Sequence, residues 1–122
     1  MKLLESAENY LEAILILKQD RKVRAIDIVN HLGFSKPSVS VAMKQLETNG
    51  YISRDDDGFI DLTDSGQEIA EMIYERHQLL SDIFVSMGVD EETAREDACK
   101  VEHDLSEETF ECIKRYFEKT EK

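Results

Sequence analysis

The first apolar pattern of the chain covers residues 4–19. Apolar residues recur there at intervals of three and four, which predicts an amphipathic helix. The buried side of this helix would carry Leu4, Ala7, Leu11, Ile14 and Leu15. Asn9 and Glu12 stand one turn apart on the opposite side, with Ile16 beside them. That polar side either faces solvent or, because Ile16 accompanies it, meets another part of the molecule.

Two shorter helical patterns follow, separated by a turn. Residues 25–32 predict a second helix, which Gly33 ends because glycine readily adopts the left-handed conformation beyond a helix C-terminus. Ser35 is the predicted N-cap of a third helix that runs to about Asn49, with Pro37 in its first turn. Two helices joined by a short turn are the helix-turn-helix pattern.

Two β-like runs come directly after the third helix, at residues 51–54 and 59–62. The segment between them, Asp55-Asp56-Asp57-Gly58, is typical of a tight turn. A helix-turn-helix followed at once by a β-hairpin predicts a winged helix. The expected fold class is therefore mainly α, with a small β-hairpin wing.

The remainder of the chain is predicted to be helical. A fourth helix would run from about Thr63 to Gly88, and residues 65–68 fit a capping box. Asp90 is the predicted N-cap of a fifth helix, and residues 104–106 separate this helix from a sixth. The apolar face of the fourth helix is formed by Ile69, Met72, Ile73, Leu80, Ile83, Phe84 and Met87. The inward residues of the sixth helix would be Phe110, Ile113, Tyr116 and Phe117.

The chain is strongly acidic, with a formal net charge of −12 at pH 7. This excess argues against binding of nucleic acid through a broad electrostatic surface. The charge is unevenly spread, because residues 1–64 hold 8 basic and 11 acidic residues whereas residues 65–122 hold 7 and 16. The first half can therefore contact DNA through a local basic patch, while the second half suits cations.

The pattern with the clearest chemistry is formed by Cys99, Glu102 and His103. They stand at positions i, i+3 and i+4, so a helix would place their side chains on one face. A thiolate, a carboxylate and an imidazole all bind divalent metals. The alternative is that an acidic helix holds these residue types by chance, with Cys99 as a small buried hydrophobe.

The cysteine content and the apolar runs also predict where the protein is found. Cys99 and Cys112 lie about three helical turns apart in sequence, which argues against a disulfide framework. No apolar run approaches the ~20 residues of a membrane span, and the first residues lack a secretory apolar region. We therefore expect a cytoplasmic protein with no membrane association.

A series of short motifs runs in order through essentially the whole chain. They are Glu8-Asn9-Tyr10-Leu11-Glu12, residues 33–40, Leu62-Thr63-Asp64-Ser65-Gly66, Arg76-His77, Leu79-Leu80, Gly88-Val89-Asp90, Glu96-Asp97-Ala98-Cys99 and Glu102-His103-Asp104-Leu105-Ser106. In this order they resemble the diphtheria toxin repressor family of metal-dependent transcriptional regulators. The resemblance implies a winged helix-turn-helix DNA-binding domain at residues 1–63. It also implies a helical metal-binding and dimerisation domain at residues 64–122, with a metal site between the two.

The resemblance also implies which residues bind the metal. The ligand positions of the family fall on Asn9, Glu12, His77, Cys99, Glu102 and His103. The manganese branch of the family has Asp in place of Asn9 and Glu in place of Cys99, whereas the iron branch has Met and Cys. Because a thiolate shifts a site away from manganese, we expect Fe(II) as the metal and Mn(II) as the second choice. Zn, Co or Ni would bind in vitro.

Two features set the chain apart from the iron branch. Ser81 and Arg95 stand where the ligands of that branch's ancillary metal site would be expected. The iron branch also usually adds a C-terminal SH3-like domain, for which no residues follow Lys122. The chain therefore resembles a short form of the family, without the ancillary site.

The resemblance places the third helix in the major groove of a double-stranded DNA operator. The residues expected to contact DNA are Ser35, Lys36, Pro37, Ser38, Ser40, Val41 and Lys44, with Arg54 in the wing. Hydroxyls, lysines and a helix N-terminus suit phosphates, while Pro37 and Val41 suit thymine methyl groups. Further phosphate-binding candidates are Arg21, Lys22 and Arg24. The alternative is that Ser35 is only a cap and the lysines are only solvated.

The expected function is a metal-dependent repressor that binds a palindromic operator as a homodimer and controls metal homeostasis. A dimer is expected because the apolar faces of the last two helices exceed what one small helical layer hides. A metallohydrolase is the rival from another class, but the chain lacks a Gly-rich loop, a nucleophile elbow and a His-Glu-x-x-His pattern. We therefore expect no enzyme activity and no small-molecule substrate. The other rivals are a manganese-responsive regulator of the same family and a winged-helix regulator that senses an organic ligand or redox state.

Overall fold

The computed structural model of the protein describes residues 5–120. In this range the helices are α1 (Glu5–Lys18), α2 (Ala25–Leu32), α3 (Lys36–Thr48), α4 (Asp64–Ser86), α5 (Glu91–Glu102) and α6 (Glu107–Thr120), and the strands are β1 (Ile52–Arg54) and β2 (Ile60–Leu62). The mainly helical fold with one small hairpin confirms the predicted fold class. The predicted beginning of the first helix at Leu4 lies outside the described residues. Among the helices described, none has the length and apolar character that crossing a bilayer requires.

The chain divides into two compact units between Met72 and Ile73, within α4. In the first unit α1 packs against α2, α3 and β2, and α3 packs against β1. The most deeply buried side chains of this unit include Leu11, Ile14, Val23, Ile28, Val39 and Met43. In the second unit the buried apolar residues include Ile73, Leu80, Ala94, Ala98 and Phe110. The apolar periodicity that predicts α1 to α3 thus identifies residues that are buried in the structure.

The turn between α2 and α3 has the backbone geometry that its sequence predicts. Gly33 has a φ of 75°, in the left-handed region, and its N–H donates to the Val29 carbonyl at 2.8 Å. The Ser35 hydroxyl accepts a hydrogen bond from the Ser38 N–H at 3.3 Å and so caps α3. These two signals define the helix-turn-helix. In the first turn of α3, Lys36, Pro37 and Ser38 are exposed.

The wing is a tight antiparallel hairpin in which Arg54 pairs with Ile60. At its tip the Asp55 carboxylate accepts hydrogen bonds from two backbone N–H groups, at 2.9 and 3.0 Å. The connector between α1 and α2 joins the wing through a β-bridge between Val23 and Ile60, whose N–H donates to the Val23 carbonyl at 2.7 Å. This bridge fixes the end of β2 that lies next to the wing tip to the connector that precedes α2.

The beginning of α4 lies within one residue of the predicted position, but its cap differs from the sequence prediction. The helix begins at Asp64, and the hydroxyl of Thr63 accepts a hydrogen bond from the Gly66 N–H at 3.2 Å. The predicted capping box at residues 65–68 is therefore wrong. Thr63 offers a capping hydroxyl two residues before Ser65, at the point where the chain leaves β2.

Three apolar side chains are also more exposed than the apolar pattern of the helices predicts. Tyr116, on the predicted inward face of α6, is 73% exposed in the single chain. On the predicted apolar face of the fourth helix, Met87 is 73% exposed and Met72 is 42% exposed. Helical periodicity identifies an apolar face but does not identify what covers it. The inward prediction for Tyr116 is wrong for the isolated subunit.

Candidate metal centre

The metal-ligand candidates of the second unit lie at the end of α5. The carboxylate of Asp90 caps the beginning of this helix by accepting a hydrogen bond from the Thr93 N–H at 3.4 Å. Ala94 and Ala98 are fully buried, and Glu102 follows at the same four-residue interval on the same face. Glu102 is consequently 0% exposed. A carboxylate buried to this degree requires compensation by positive charge or hydrogen-bond donors.

Cys99 and His103 approach this buried carboxylate. One ligand atom from each of Cys99, Glu102 and His103 lies within 4.8 Å of the other two. The Nε2 atom of His103 is 3.5 Å from the Oε1 atom of Glu102, and the His103 side chain is 3% exposed. The three side chains therefore converge at the end of α5. Their binding of a metal stays a prediction.

His77 reaches the same carboxylate from α4. A ring nitrogen of His77 and a carboxylate oxygen of Glu102 lie within 4.8 Å of each other. The Nε2 atom of His77 is 3.1 Å from the backbone carbonyl oxygen of Arg95. Because a carbonyl only accepts, this contact places the proton of a neutral imidazole on Nε2, so that Nδ1 carries the lone pair. Such a backbone partner is the usual way to orient a metal-binding imidazole.

The chemistry of these donors fits a divalent transition metal. Imidazole and carboxylate suit most such ions, whereas thiolate favours iron, cobalt, nickel or zinc over manganese. A cation among them would also compensate the burial of the Glu102 carboxylate, which is costly in an apolar surrounding. The residues present in the second unit therefore fit the kind of ion that the sequence predicts.

The remaining ligand candidates, Asn9 and Glu12, belong to the first unit. They lie one turn apart on α1. Asn9 is half-buried, and Glu12 is only 6% exposed. The sequence leaves open whether the polar side of α1 faces solvent. Because Glu12 is buried, its side chain does not face solvent. The role of both residues as ligands stays a prediction.

The residues expected to contact DNA lie along one helix and in the wing. Those at the cap and on the exposed side of α3 are Ser35, Lys36, Pro37, Ser38, Ser40, Val41 and Lys44. Val41 is 58% exposed. The combination of hydroxyls, lysines and an exposed methyl-bearing side chain suits a DNA groove. Contact with DNA stays a prediction.

Arg54, the DNA-contact candidate of the wing, is already engaged within the protein. Its Nε and Nη2 atoms donate to the Oε1 atom of Glu47 on α3, at 3.2 and 2.9 Å. Both side chains are partly exposed, so the ion pair can exchange for another partner at modest cost. A phosphate that binds the Nε and Nη2 edge of Arg54 would have to replace the Glu47 carboxylate.

A second ion pair joins the wing to α1, between Lys18 of α1 and Asp61 in the middle of β2. The Lys18 Nζ is 3.1 Å from the Asp61 Oδ1. Burial acts to raise the pKa of Asp61, but hydrogen bonds from Lys18 and from the Leu62 N–H outweigh it, so the pKa lies below its ordinary value. Asp61 therefore stays ionised at neutral pH and keeps Lys18 paired.

Two further cationic side chains lie against an aromatic ring of the wing. The Arg24 guanidinium carbon lies 4.3 Å and the Lys22 Nζ lies 5.2 Å from the centre of the Phe59 ring. Cations at these distances are attracted to the face of an aromatic ring. Sequence reasoning names both cations as phosphate-binding candidates but misses Phe59, because a single aromatic residue in a hairpin carries no signal of its partners.

The fold and the buried donor set together define a class of protein. A winged helix with an exposed helix in its helix-turn-helix is typical of DNA-binding proteins, and a cluster of thiolate, imidazole and carboxylate in a second unit is a donor set that suits a divalent metal ion. Residues 2–58 match the family described as "Iron dependent repressor, N-terminal DNA binding domain". Residues 63–122 match "Iron dependent repressor, metal binding and dimerisation domain". The chain belongs to the diphtheria toxin repressor family of metal-dependent transcriptional repressors.

Individual relatives agree with this assignment. An uncharacterized HTH-type transcriptional regulator of Methanocaldococcus jannaschii is 35% identical over 118 residues, which cover 94% of each chain. The transcriptional regulator MntR of Escherichia coli is 33% identical over 116 residues, covering 94% of this chain and 75% of that protein. The structure of a manganese-dependent transcriptional repressor in complex with manganese superposes with a TM-score of 0.82 at 26% identity, over 90% of this chain and 51% of that one. The protein is therefore a metal-dependent transcriptional repressor and not an enzyme.

Proposed function

We propose that this protein is a cytoplasmic repressor that binds a palindromic DNA operator as a homodimer when it is loaded with Fe(II), and so controls metal homeostasis. The observation that carries the choice of metal is the position of Cys99, whose donor atom lies within 4.8 Å of those of Glu102 and His103. A thiolate at this point favours Fe(II) over Mn(II). Mn(II) is the second candidate, because a structurally similar repressor is manganese-dependent.

The proposed ligands combine residues of both halves of the sequence. They are Asn9, Glu12, His77, Cys99, Glu102 and His103. We assign Asn9 and Glu12 to a DNA-binding domain at residues 1–63 and the other four to a metal-binding and dimerisation domain at residues 64–122. Metal and operator would then be linked, with a coupling of roughly 1–3 kcal/mol that is reciprocal by thermodynamic necessity. Operator DNA should tighten metal binding by the same factor by which metal tightens DNA binding.

The test of this function is metal-dependent DNA binding under anaerobic, reducing conditions. Duplexes selected from a random library by the metal-loaded protein serve as probes for fluorescence anisotropy with Fe(II), with Mn(II) and with chelator. We expect tight binding with either metal and at least about fivefold weaker binding with chelator. Equal affinity with and without metal would overturn the proposal and favour a regulator that senses another signal.

Cys99→Glu tests the choice of metal. The variant exchanges a soft thiolate for a hard carboxylate, so we expect the ratio of Mn(II) to Co(II) affinity to rise about tenfold, which corresponds to 1.4 kcal/mol. Competition titrations with a metal-binding dye measure both affinities. Cys99→Ala is the control, because it removes the thiolate without adding an oxygen and should weaken both metals. A variant that keeps the wild-type ratio of the two affinities would exclude Cys99 from the ligands.

An apolar groove in the second unit supports the homodimer. The groove has a volume of about 510 Å³ and is lined by residues of α4 and α6 that include Ile83, Met87, Cys112, Ile113, Tyr116 and Phe117. Met87 and Tyr116 are each 73% exposed in the single chain. Large apolar side chains that line an exposed groove mark an interaction surface. We assign this surface to a second copy of the chain, because its residues belong to the segment that matches a dimerisation domain.

Tyr116→Glu tests the dimer interface. A carboxylate in the centre of an apolar contact has to be desolvated, so we expect the variant to sediment as a monomer at micromolar concentration. Lys119→Glu, which adds a negative charge at another exposed position of α6, should leave the dimer intact. Analytical ultracentrifugation distinguishes the two variants. A dimeric Tyr116→Glu protein would place the interface elsewhere.

Glu47→Gln tests the competition between Glu47 and phosphate for Arg54. The variant weakens the ion pair that holds the arginine within the protein, so we expect tighter DNA binding in low salt. If Arg54 then neutralises one more phosphate, the slope of log K against log salt should steepen by about 0.9. Glu68→Gln is the matched control, because it removes the same charge from an exposed position of α4. An equal effect of both variants would reflect net charge alone.

A further inference from the structure

A buried arginine lies beside the ligand candidates of the second unit. Arg76 of α4 directly precedes His77 and is only 9% exposed. A guanidinium is always charged, so its burial requires hydrogen-bond acceptors or an aromatic partner. In the sequence this arginine is notable only as the neighbour of a histidine. No sequence pattern explains why a charged side chain is buried at this position.

The partners of Arg76 are backbone carbonyls at the end of α5. Its Nη1 donates to the Glu102 carbonyl oxygen at 3.4 Å, and its Nη2 donates to the Leu105 carbonyl oxygen at 3.3 Å. Both bonds are longer than usual, so each alone is weak. Together they span the last residue of α5 and the turn that follows it, because α5 ends at Glu102.

This end of α5 needs an external partner. The last four carbonyls of a helix have no partner within the helix, and they form the negative end of its dipole. The helix ends without a left-handed glycine: His103, with a φ of −72°, is the capping residue. A buried guanidinium supplies both hydrogen bonds and a positive charge at this position, which opposes fraying of the turn that carries Glu102 and His103.

A third contact fixes the guanidinium itself. Its central carbon lies 4.9 Å from the centre of the Phe110 ring, and Phe110 is 4% exposed on α6. The planar group is therefore held by an aromatic residue of α6 while it donates to α5. A lysine could supply the charge but not the two directed donors.

We propose that Arg76 is a positioning residue of the metal centre, which fixes the end of α5 so that Glu102 and His103 are oriented for the ion before it binds. This inference rests on the proposed metal site. A purely structural Arg76 would contribute to stability only, and the folded protein would bind metal equally well without it. A positioning Arg76 acts on the affinity and geometry of the site in protein that remains folded.

The experiment is a Co(II) titration of the reduced protein, followed by visible absorption. We expect Arg76→Met to weaken Co(II) binding about 10–100-fold, the usual effect of removing a residue that orients metal ligands. We also expect its ligand-field bands to change in position and intensity, and amide exchange at residues 102–104 of the metal-free protein to accelerate. Arg76→Lys should recover part of the affinity. Arg115→Met, at an exposed position of α6, is the matched control and should titrate as the wild type does.

The outcomes separate the two proposals. A folded Arg76→Met with wild-type affinity and spectrum would overturn the positioning role and leave the metal site standing. If Arg76→Met does not fold, Arg76→Lys decides, because wild-type affinity and spectrum in that variant would overturn the role of the directed donors. Wild-type protein that binds no cobalt would overturn the metal site and this inference with it.

Discussion

Replacing Gly66 by Ala is expected to destabilise the protein by about 3 kcal/mol. At an ordinary helix position the same change stabilises by up to about 1 kcal/mol, because alanine is the better helix former. The sign is reversed here because a Cβ atom at Gly66 would lie 2.0 Å from the carbonyl oxygen of Tyr51 and 3.0 Å from its carbonyl carbon. Such a contact is far inside the van der Waals limit.

The obstructing atom cannot move away without further losses. The Tyr51 carbonyl accepts a hydrogen bond from the Thr63 N–H at 3.1 Å, and the Tyr51 N–H donates to the Leu46 carbonyl at 2.9 Å. The Thr63 hydroxyl in turn donates to the Gly50 carbonyl at 2.6 Å. Relief of the clash would therefore separate α4 from the end of α3 and the start of the wing. Backbone that is fixed on both sides makes overpacking expensive.

Chemical denaturation measures the free energy of unfolding directly. In thermal denaturation of a chain of this length, a loss of 3 kcal/mol should lower the melting temperature by roughly 12 °C. Ser65→Ala, at the exposed neighbouring position of the same helix, is the control and should change the stability by less than about 0.5 kcal/mol. Gly66→Ala protein as stable as the wild type would show that the first turn of α4 can shift away from Tyr51.

Local signals explain why most of the fold could be predicted from the sequence. Gly33 and Ser35 end one helix and begin the next through interactions within a few residues, and Asp90 caps α5 in the same way. The cap of α4 was wrongly assigned to Ser65 because Thr63 offers the same hydroxyl group two residues earlier. Only the path of the chain out of β2 decides between them. Tyr116 was misjudged because periodicity identifies an apolar face but does not identify whether the chain itself covers that face.

The same distinction between local and long-range interactions applies to the candidate site. The spacing of Cys99, Glu102 and His103 is a helical property, so the sequence predicts that their side chains converge. The hydrogen bonds from Arg76 to two carbonyls could not be predicted, since every residue carries a carbonyl and none marks the one that is used. The pairing of Arg54 with Glu47 likewise depends on how β1 packs on α3.

Glu102→Gln is expected to abolish most of the stabilisation by metal while leaving the metal-free fold intact. Free metal at 1,000 times its Kd should stabilise the wild type by about 4.1 kcal/mol. Glutamine keeps the shape of the buried side chain but carries no charge, so it is a poor ligand. If it binds about 100-fold more weakly, the same metal concentration stabilises the variant by only about 1.4 kcal/mol.

The second part of this prediction concerns the stability of the metal-free wild type and the metal-free Glu102→Gln protein. Glu102 is 0% exposed, and a carboxylate in such a place is stabilised far less than in water. Replacing it by a neutral side chain of equal size should therefore leave the metal-free stability unchanged or raise it. Urea denaturation with chelator and with excess Mn(II) measures both quantities. Mn(II) is the suitable probe because it binds only weakly to the cysteine and histidine residues of an unfolded chain.

Glu96→Gln is the matched control, since it makes the same change at an exposed position of the same helix. It should retain the full metal-induced stabilisation. Equal stabilisation of Glu102→Gln and wild type by Mn(II) would exclude Glu102 from the ligands. A metal-free Glu102→Gln protein that unfolds several kcal/mol more easily than the wild type would mean that the fold itself requires the carboxylate. The buried charge at the end of α5 would then serve the structure rather than the ion.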